Sequence, residues 1–343
     1  MGNAINSCVF VPPVQVPEIN TENTEFVLTK NGHKIPVAWY TPQKKNSSIL
    51  ETKNLNDLNA RNNSNNFNFG LREFLKHFPE FSRNKSQNSS LAKTHSKRKD
   101  NQNSSWTIIF SHGNAESITL LSDWAQRLAE ILTVNVLLYE YSGYPYAEGE
   151  CSEKNTYACI ERAFEYAVKE KHINQDHIIL MGFSLGTGAT THIATEKDVA
   201  GVILVSSFTS CVRTQVELSY LSIIDQFTNI TKAAKIKSPT LLIHGTDDQR
   251  IPIRHAKELY SKLKKPVEPV WIEGADHCNM DEGNFGDQFY AALNNFLDWL
   301  RLERRKKKKN IYKRRSRFTR KLVSERYVPS VKKTLSKKGW IDI

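Results

Sequence analysis

The chain has 343 residues, of which 39% are hydrophobic and 24% are charged, with a formal net charge of +12 at pH 7. This length suits one large domain with extensions, and the low hydrophobic share indicates a folded core diluted by polar segments. The five cysteines lack metal-ligand or disulfide spacing, and we expect no secretory signal, so the sequence favours a reduced, cytosol-facing protein. No apolar run reaches about 18 residues, so no membrane-spanning helix is expected.

Residues 1–20 form a short, Pro-rich segment that we predict to be acylated. The first eight residues are similar to an N-myristoylation signal, because removal of Met1 exposes Gly2, although Asn6 stands where Ser or Thr is usual. Cys8 is a candidate for S-palmitoylation, since one myristoyl chain alone binds membranes only weakly. The alternative is an ordinary initiator methionine followed by a small residue.

Two strands, Glu25–Thr29 and Lys34–Tyr40, are predicted on either side of the turn sequence Asn31-Gly32. The composition then changes, because residues 43–104 contain 13 Asn and 9 Ser among 62 residues. Such a segment cannot bury enough apolar surface to offset its ordering entropy. We therefore predict a disordered, low-complexity insertion in a loop of the domain.

Strand and helix patterns alternate from Trp106 onward. Six further strands are predicted at Trp106–Ser111, Val134–Tyr139, His177–Gly182, Gly201–Ser206, Pro239–His244 and Val267–Ile272. Helices are predicted at Ser117–Leu132, Asn155–Lys171, Leu185–Thr195, Ile253–Leu263 and Asp287–Arg304. This alternation predicts an α/β domain whose eight-stranded, mostly parallel sheet has helices on both faces. The segment Ser207–Ser238 leaves room for a minimal cap of one or two helices.

The most informative motif is the run Gly182-Phe183-Ser184-Leu185-Gly186, between a predicted strand and a predicted helix. In a G-x-S-x-G turn the serine adopts a strained backbone conformation, and the glycines avoid collisions with the neighbouring strand and helix. By itself the motif also fits a Gly/Ser turn without chemistry.

A serine hydroxyl becomes a nucleophile only beside a base, which a third group must orient. The expected chain order for a strand–turn–helix serine is Ser184, then an acid, then a histidine. Asp248 follows the seventh strand and is the predicted acid, while its neighbour Asp247 is expected to be exposed or to cap the turn. His277 follows the eighth strand and is the predicted base. Loops at the carboxyl ends of parallel strands share one edge of the sheet.

Two backbone N–H groups are needed to bind the oxyanion that forms during acyl transfer. We predict that Leu185, directly after the serine, and Asn114, in the loop after the third strand, supply them. His112 and His244 precede glycines at strand ends and are expected to be structural. The predicted chemistry requires neither a metal nor a cofactor.

Residues 305–343 form a polybasic tail. Residues 301–343 hold 18 Lys and Arg against three acids, a net of +15, which leaves −3 for residues 1–300 of this +12 chain. We expect the tail to bind the anionic inner leaflet of a membrane. A solvated charge run and a nuclear-localisation or nucleic-acid patch are the alternatives, and the last is least favoured because no recognition fold accompanies it.

Five segments carry a family resemblance. They are Phe110–Ala115, Tyr139–Tyr144, Gly182–Thr187, His244–Asp248 and Glu268–His277. Together they resemble the α/β-hydrolase-domain family, subfamily seventeen, and its Bem-like relatives, over about residues 24–42 and 105–300. The resemblance implies an α/β-hydrolase fold across residues 24–304, with Ser184 as nucleophile, Asp248 as acid and His277 as base.

Members of this subfamily are membrane-anchored serine hydrolases that remove palmitate from protein cysteines. The resemblance therefore implies a palmitoyl-protein thioesterase, lipid-anchored at the cytoplasmic face of the plasma membrane or another endomembrane, with an acylated protein or lipid as substrate. One alternative is a lipase or carboxylesterase that acts on lysolipids or other acyl esters. Another is a non-catalytic membrane scaffold whose site is vestigial.

Overall fold

The computed structural model describes residues 9–43, 106–215 and 225–327. The predicted acylation sites Gly2 and Cys8, nearly all of the insertion and the last part of the basic tail lie outside these residues. The chain divides into two compact units, residues 1–294 and residues 295–343.

Eight strands form one sheet in the first unit. They are β1 (Thr24–Leu28), β2 (Lys34–Tyr40), β3 (Thr107–Ser111), β4 (Asn135–Tyr139), β5 (Ile178–Phe183), β6 (Gly201–Val205), β7 (Thr240–Gly245) and β8 (Val270–Ile272). The spatial order is β1-β2-β4-β3-β5-β6-β7-β8. The β1–β2 and β2–β4 pairs are antiparallel and the other neighbours are parallel. The predicted eight-stranded, mostly parallel sheet is confirmed.

The helices cover a sheet whose central strands are buried along their whole length. Every residue of β3, β4, β6 and β7 is buried, which is the pattern of a parallel sheet covered on both faces. The helices of the first unit are α1 (Ser122–Leu132), α2 (Glu153–Glu165), α3 (Gly186–Glu196), α4 (Cys211–Gln215), α5 (Asn229–Ala233) and α6 (Arg254–Tyr260). A π-helical turn, Tyr166–Glu170, extends α2. Between β6 and β7, the described residues hold only the short helices α4 and α5.

Two helices differ most from the sequence prediction. Helix α1 begins at Ser122 rather than Ser117, because the Ile118 N–H donates to the Glu140 carboxylate at 3.1 Å instead of starting a helical turn. Helix α7 begins at Gly283 and continues to Tyr327 rather than ending at Arg304. Lys and Arg are good helix formers, and so a helix can extend through a run of basic residues.

The second unit, as far as the structure describes it, is the α7 segment from residue 295 to residue 327. Two ion pairs three residues apart support its helix: Asp298 with Arg301 at 2.7 Å and Glu303 with Lys306 at 2.8 Å. Among the helices in the described ranges, none combines the length and the apolarity needed to cross a bilayer.

Candidate active site

Ser184 lies at a sharp turn between β5 and α3. Its φ angle is +50°, in a region that residues with a side chain rarely adopt. A Cβ atom at Gly186 would lie 2.0 Å from the Ser111 carbonyl oxygen, and one at Gly182 would lie 2.5 Å from Thr190 Oγ1. Only glycine therefore fits at the positions two residues before and two residues after this serine. This is expected for a nucleophile on a sharp turn, or elbow, between a strand and a helix.

The loops after β5, β7 and β8 bring Ser184, Asp248 and His277 together. His277 Nε2 lies 2.9 Å from Ser184 Oγ, and His277 Nδ1 lies 2.7 Å from Asp248 Oδ2. The His277 and Asp248 side chains are buried, whereas Ser184 is half-buried. Asp247 is exposed and accepts a hydrogen bond from the Thr246 hydroxyl at 3.1 Å. The arrangement allows His277 to take a proton from Ser184 while Asp248 orients the imidazole.

Asp248 is surrounded by hydrogen-bond donors. Its Oδ1 accepts the backbone N–H groups of Arg250 at 3.0 Å and Ile251 at 2.8 Å. Burial raises the pKa of Asp248, but hydrogen bonds from His244, His277 and Ile251 outweigh burial and hold the pKa well below its usual range. Asp248 therefore remains an anion and can stabilise an imidazolium at His277.

His244 is buried behind Asp248. Its Nε2 lies 2.7 Å from the Ile251 carbonyl oxygen and 3.4 Å from Asp248 Oδ2. This histidine supports the acid and does not reach Ser184 in the hydrogen-bond network, in line with the structural role that the sequence suggests.

The two backbone N–H groups predicted to bind an oxyanion are available. Neither the Leu185 N–H nor the Asn114 N–H donates to an acceptor within the part of the chain that the structure describes. The Asn114 loop is fixed from two sides, since the Gly113 N–H donates to Glu116 Oε2 at 2.5 Å and the Tyr144 hydroxyl lies 2.7 Å from Asn114 Oδ1. Unpaired, preorganised donors of this kind are suited to bind developing negative charge.

Sequence reasoning missed two carboxyl groups that support this loop. Glu116 caps the Gly113 N–H, and Glu140 lies 2.7 Å from His112 Nε2 at the end of β4. The signal was present, because Glu140 directly follows an apolar strand at the carboxyl edge of the sheet, where polar side chains carry function. Its partner could not be known without the strand order.

A cavity of about 680 Å³ adjoins His277. Its apolar walls include Phe110, Trp124, Met181, Phe183, Val205 and Phe289. Charged residues also line it, and burial raises the pKa of two of the carboxyls, those of Glu116 and Asp281. This volume lies within the range of about 300–1,000 Å³ that is usual for small-molecule sites.

Comparisons with known proteins identify similar sequences and a similar fold. The model of the prolyl oligopeptidase family matches residues 152–303, which contain Ser184, Asp248 and His277. The chain is 38% identical over 180 residues to alpha/beta hydrolase domain-containing protein 17B of Xenopus tropicalis, a match that covers 52% of this chain and 62% of that protein. The human 17B protein is 37% identical over 180 residues, with the same coverage of 52% and 62%.

A relative from Caenorhabditis elegans, alpha/beta hydrolase domain-containing protein aho-3, is 38% identical over 197 residues, or 57% of this chain and 58% of that protein. The chain thus spans about three fifths of the length of the relatives it matches. Among solved structures, the esterase Pf2001 of Pyrococcus furiosus superposes with a TM-score of 0.53 at 14% identity, covering 84% of this chain and 98% of the esterase. At that identity the likeness concerns the fold alone.

Proposed function

We propose that the chain is a serine hydrolase of the α/β-hydrolase family, which associates with membranes and removes fatty acyl groups, palmitate above all, from protein cysteines. The observation that carries the proposal is the continuous hydrogen-bond line from Ser184 through His277 to Asp248, at 2.9 and 2.7 Å. Ser184 is the nucleophile, His277 the general base and acid, and Asp248 the orienting anion.

Acylation of the enzyme begins with attack of Ser184 Oγ on the thioester carbonyl carbon. As the new C–O bond forms, His277 Nε2 takes the serine proton and the carbonyl π electrons move onto oxygen. The Leu185 and Asn114 N–H groups hold that oxyanion, and each such donor typically contributes about 2.7–4 kcal/mol of transition-state stabilisation. The C–S bond then breaks, and the departing cysteine sulfur takes up the proton from His277.

Deacylation runs the same steps with water in place of serine. Water attacks the acyl carbon of the acyl-serine while His277 takes one of its protons. The second tetrahedral intermediate collapses with cleavage of the C–Oγ bond, His277 returns the proton to Ser184, and a fatty acid leaves. Asp248 stays ionised throughout, as its lowered pKa favours.

The cavity beside His277 supports an acyl substrate. Its aromatic and aliphatic walls offer an apolar surface of the kind that an acyl chain would contact. The raised pKa values of Glu116 and Asp281 favour the neutral carboxylic acids, which lowers the cost of an apolar ligand beside them.

Membrane association is proposed to use three features of the chain. They are a myristoyl group on Gly2, a palmitoyl group on Cys8 and the basic residues of α7 and the tail. The side chains of Lys306, Lys307, Lys308 and Lys309 are exposed on α7. Near an anionic leaflet, each basic residue contributes about 1 kcal/mol. Two or more such signals are needed for stable anchoring, since a single acyl chain is marginal.

Labelling of the purified full-length chain with a fluorophosphonate probe tests the nucleophile. Wild type is expected to label and Ser184→Ala is expected not to label, while the exposed control Ser261→Ala labels like wild type. Hydrolysis of a palmitoylated peptide is then compared with hydrolysis of lysophospholipids. Faster turnover of lysolipid would favour the lipase alternative, and an unlabelled wild type would favour a vestigial site. Thioester hydrolysis by Ser184→Ala at the wild-type rate would overturn the mechanism.

A further inference from the structure

The side chain of Asn114 binds a segment near the start of the chain, far from it in sequence. Asn114 Nδ2 donates to the Val9 carbonyl oxygen at 2.7 Å, and the Val11 N–H donates to Asn114 Oδ1 at 2.8 Å. The same residue is proposed to offer its backbone N–H to the oxyanion. Residues 9–11, called the strap below, therefore bind the side chain of a residue that is proposed to hold the oxyanion.

The middle residue of the strap is anchored in the core. Phe10 is only 4% exposed, and its ring meets the ring of Phe227 edge-on, with centroids 5.9 Å apart. Phe227 in turn packs against the first turn of α3, because a Cβ atom at Gly188 would lie 2.4 Å from the Phe227 ring. The Gly188 N–H donates to the Leu185 carbonyl oxygen at 2.9 Å.

The strap thus contacts one half of the proposed oxyanion hole and is linked to the other half through packed side chains. It holds the Asn114 loop directly through two hydrogen bonds, and it reaches the Leu185 turn through Phe10, Phe227 and Gly188. The distance between two donors that bind one oxygen must be fixed before the reaction, because misplacement by about 1 Å can cost on the order of 100-fold in rate.

We propose that Phe10 and Val11 are positioning residues of the active site, which set the spacing between the Asn114 and Leu185 N–H groups. The segment directly after the predicted acylation site then serves catalysis even when no membrane is present. This inference rests on the proposed function of Ser184.

The test uses the full-length chain and a water-soluble ester, p-nitrophenyl butyrate, without lipid or detergent. Val11→Pro removes the N–H that donates to Asn114, and Phe10→Ala removes the ring that packs against Phe227. Each is expected to lower kcat about tenfold or more while KM stays within about twofold of wild type, because oxyanion contacts act mainly in the transition state. The rate of fluorophosphonate labelling is expected to fall in parallel.

Two matched variants separate positioning from folding. Val14→Pro places a proline in the same segment at a residue that is 98% exposed, and it is expected to keep the wild-type kcat. Phe10→Leu refills the apolar site and is expected to recover most of the kcat that Phe10→Ala loses. The melting temperature of each variant is measured alongside. If Val11→Pro does not fold, the comparison of Phe10→Ala with Phe10→Leu tests the proposal.

The inference is overturned if Val11→Pro and Phe10→Ala keep kcat within about twofold of wild type, or if the loss falls on KM alone. Failure of the proposed function gives a different result. In that case the wild type does not hydrolyse the ester, or Ser184→Ala hydrolyses it equally well.

Discussion

The Glu140 carboxylate lies 2.7 Å from His112 Nε2, and both side chains are buried. The other ring nitrogen of His112 lies 2.8 Å from the Gly113 carbonyl oxygen. Two oxygen atoms facing the two ring nitrogens favour a doubly protonated imidazolium. Burial lowers the pKa of His112, but the charge and hydrogen bond of Glu140 and the Gly113 carbonyl more than offset it, so that the pKa is raised. A buried ion pair thus fixes the start of the loop that carries Asn114.

Removal of Glu140 should destabilise the fold strongly. Glu140→Ala leaves the His112 charge buried without its partner, and we expect the free energy of unfolding to fall by about 3–5 kcal/mol. The exposed control Glu130→Ala should change it by no more than about 0.5 kcal/mol. Urea denaturation measures both. A decrease in unfolding free energy of less than about 1 kcal/mol in Glu140→Ala would show that the Glu140–His112 pair contributes little to stability.

Asp248 and Asp247 should differ sharply in their effect on catalysis. Asp248→Asn removes the anion that His277 needs, and kcat is expected to fall about 10⁴-fold. The Asp247 side chain is exposed and accepts a hydrogen bond from Thr246 within its own turn, so Asp247→Asn should stay within about twofold of wild type. Steady-state kinetics on one ester compare the two variants. Equal losses in both would reject the assignment of the acid.

Gly186 should tolerate no side chain. A Cβ atom at this position would come within 2.0 Å of the Ser111 carbonyl oxygen, so Gly186→Ala must displace β3 or α3. Overpacking of this kind typically costs about 1–3 kcal/mol and sometimes more. We expect a lower melting temperature together with slower fluorophosphonate labelling. A variant with wild-type stability and labelling would contradict the steric account of the elbow.

His255 should make stability depend on pH. Burial, with the charges of Arg254 and Arg213, lowers its pKa to about 4. An unfolded chain has a histidine pKa of about 6.5, so it binds more protons than the folded chain between these values. The stability that neutral His255 contributes is therefore fully present above about pH 6.5, and it is lost as the pH falls toward 4. Between pH 7 and pH 5, wild type should lose about 1–2 kcal/mol more than His255→Gln. An equal loss of unfolding free energy between pH 7 and pH 5 in wild type and His255→Gln would contradict this prediction.

Membrane binding should depend on both ends of the chain. Gly2→Ala is expected to shift the protein expressed in cells from the membrane to the soluble fraction, since it removes the proposed myristoylation site. Replacement of Lys306, Lys307, Lys308 and Lys309 by Gln should weaken binding of the purified chain to vesicles that contain phosphatidylserine, and should leave binding to neutral vesicles unchanged. Membrane retention of Gly2→Ala at wild-type levels would refute myristoylation as the anchor.

Local chemistry made much of this molecule predictable. The strands were found within about three residues because buried parallel strands are continuous apolar runs. The glycines of the elbow follow from steric limits that act within a few residues of Ser184. The loops of Asp248 and His277 follow from the rule that parallel strands end at one edge.

Long-range pairing was beyond sequence reasoning. The contact of Asn114 with Val9 joins residues 105 positions apart, and it depends on how the N-terminal segment crosses the domain. The bond of His112 to Glu140 depends on β3 and β4 being neighbours. Helix α7 runs past Arg304 because basic residues favour helix once one has begun, whereas composition alone suggests only a charged tail.

The strap also sets an upper limit on the distance between the folded domain and a proposed acyl group near the start of the chain. Val9, whose carbonyl oxygen is held by Asn114, is the residue directly after Cys8. A fully extended chain spans at most about 3.6 Å per residue, so an acyl chain on Gly2 would enter the bilayer within about 25 Å of the strap. A palmitoyl group on Cys8 would shorten that distance to the length of a single residue. Ser184 would then serve thioesters close to the lipid headgroups, and acylated cysteines on long extensions into the cytosol would lie beyond its working range.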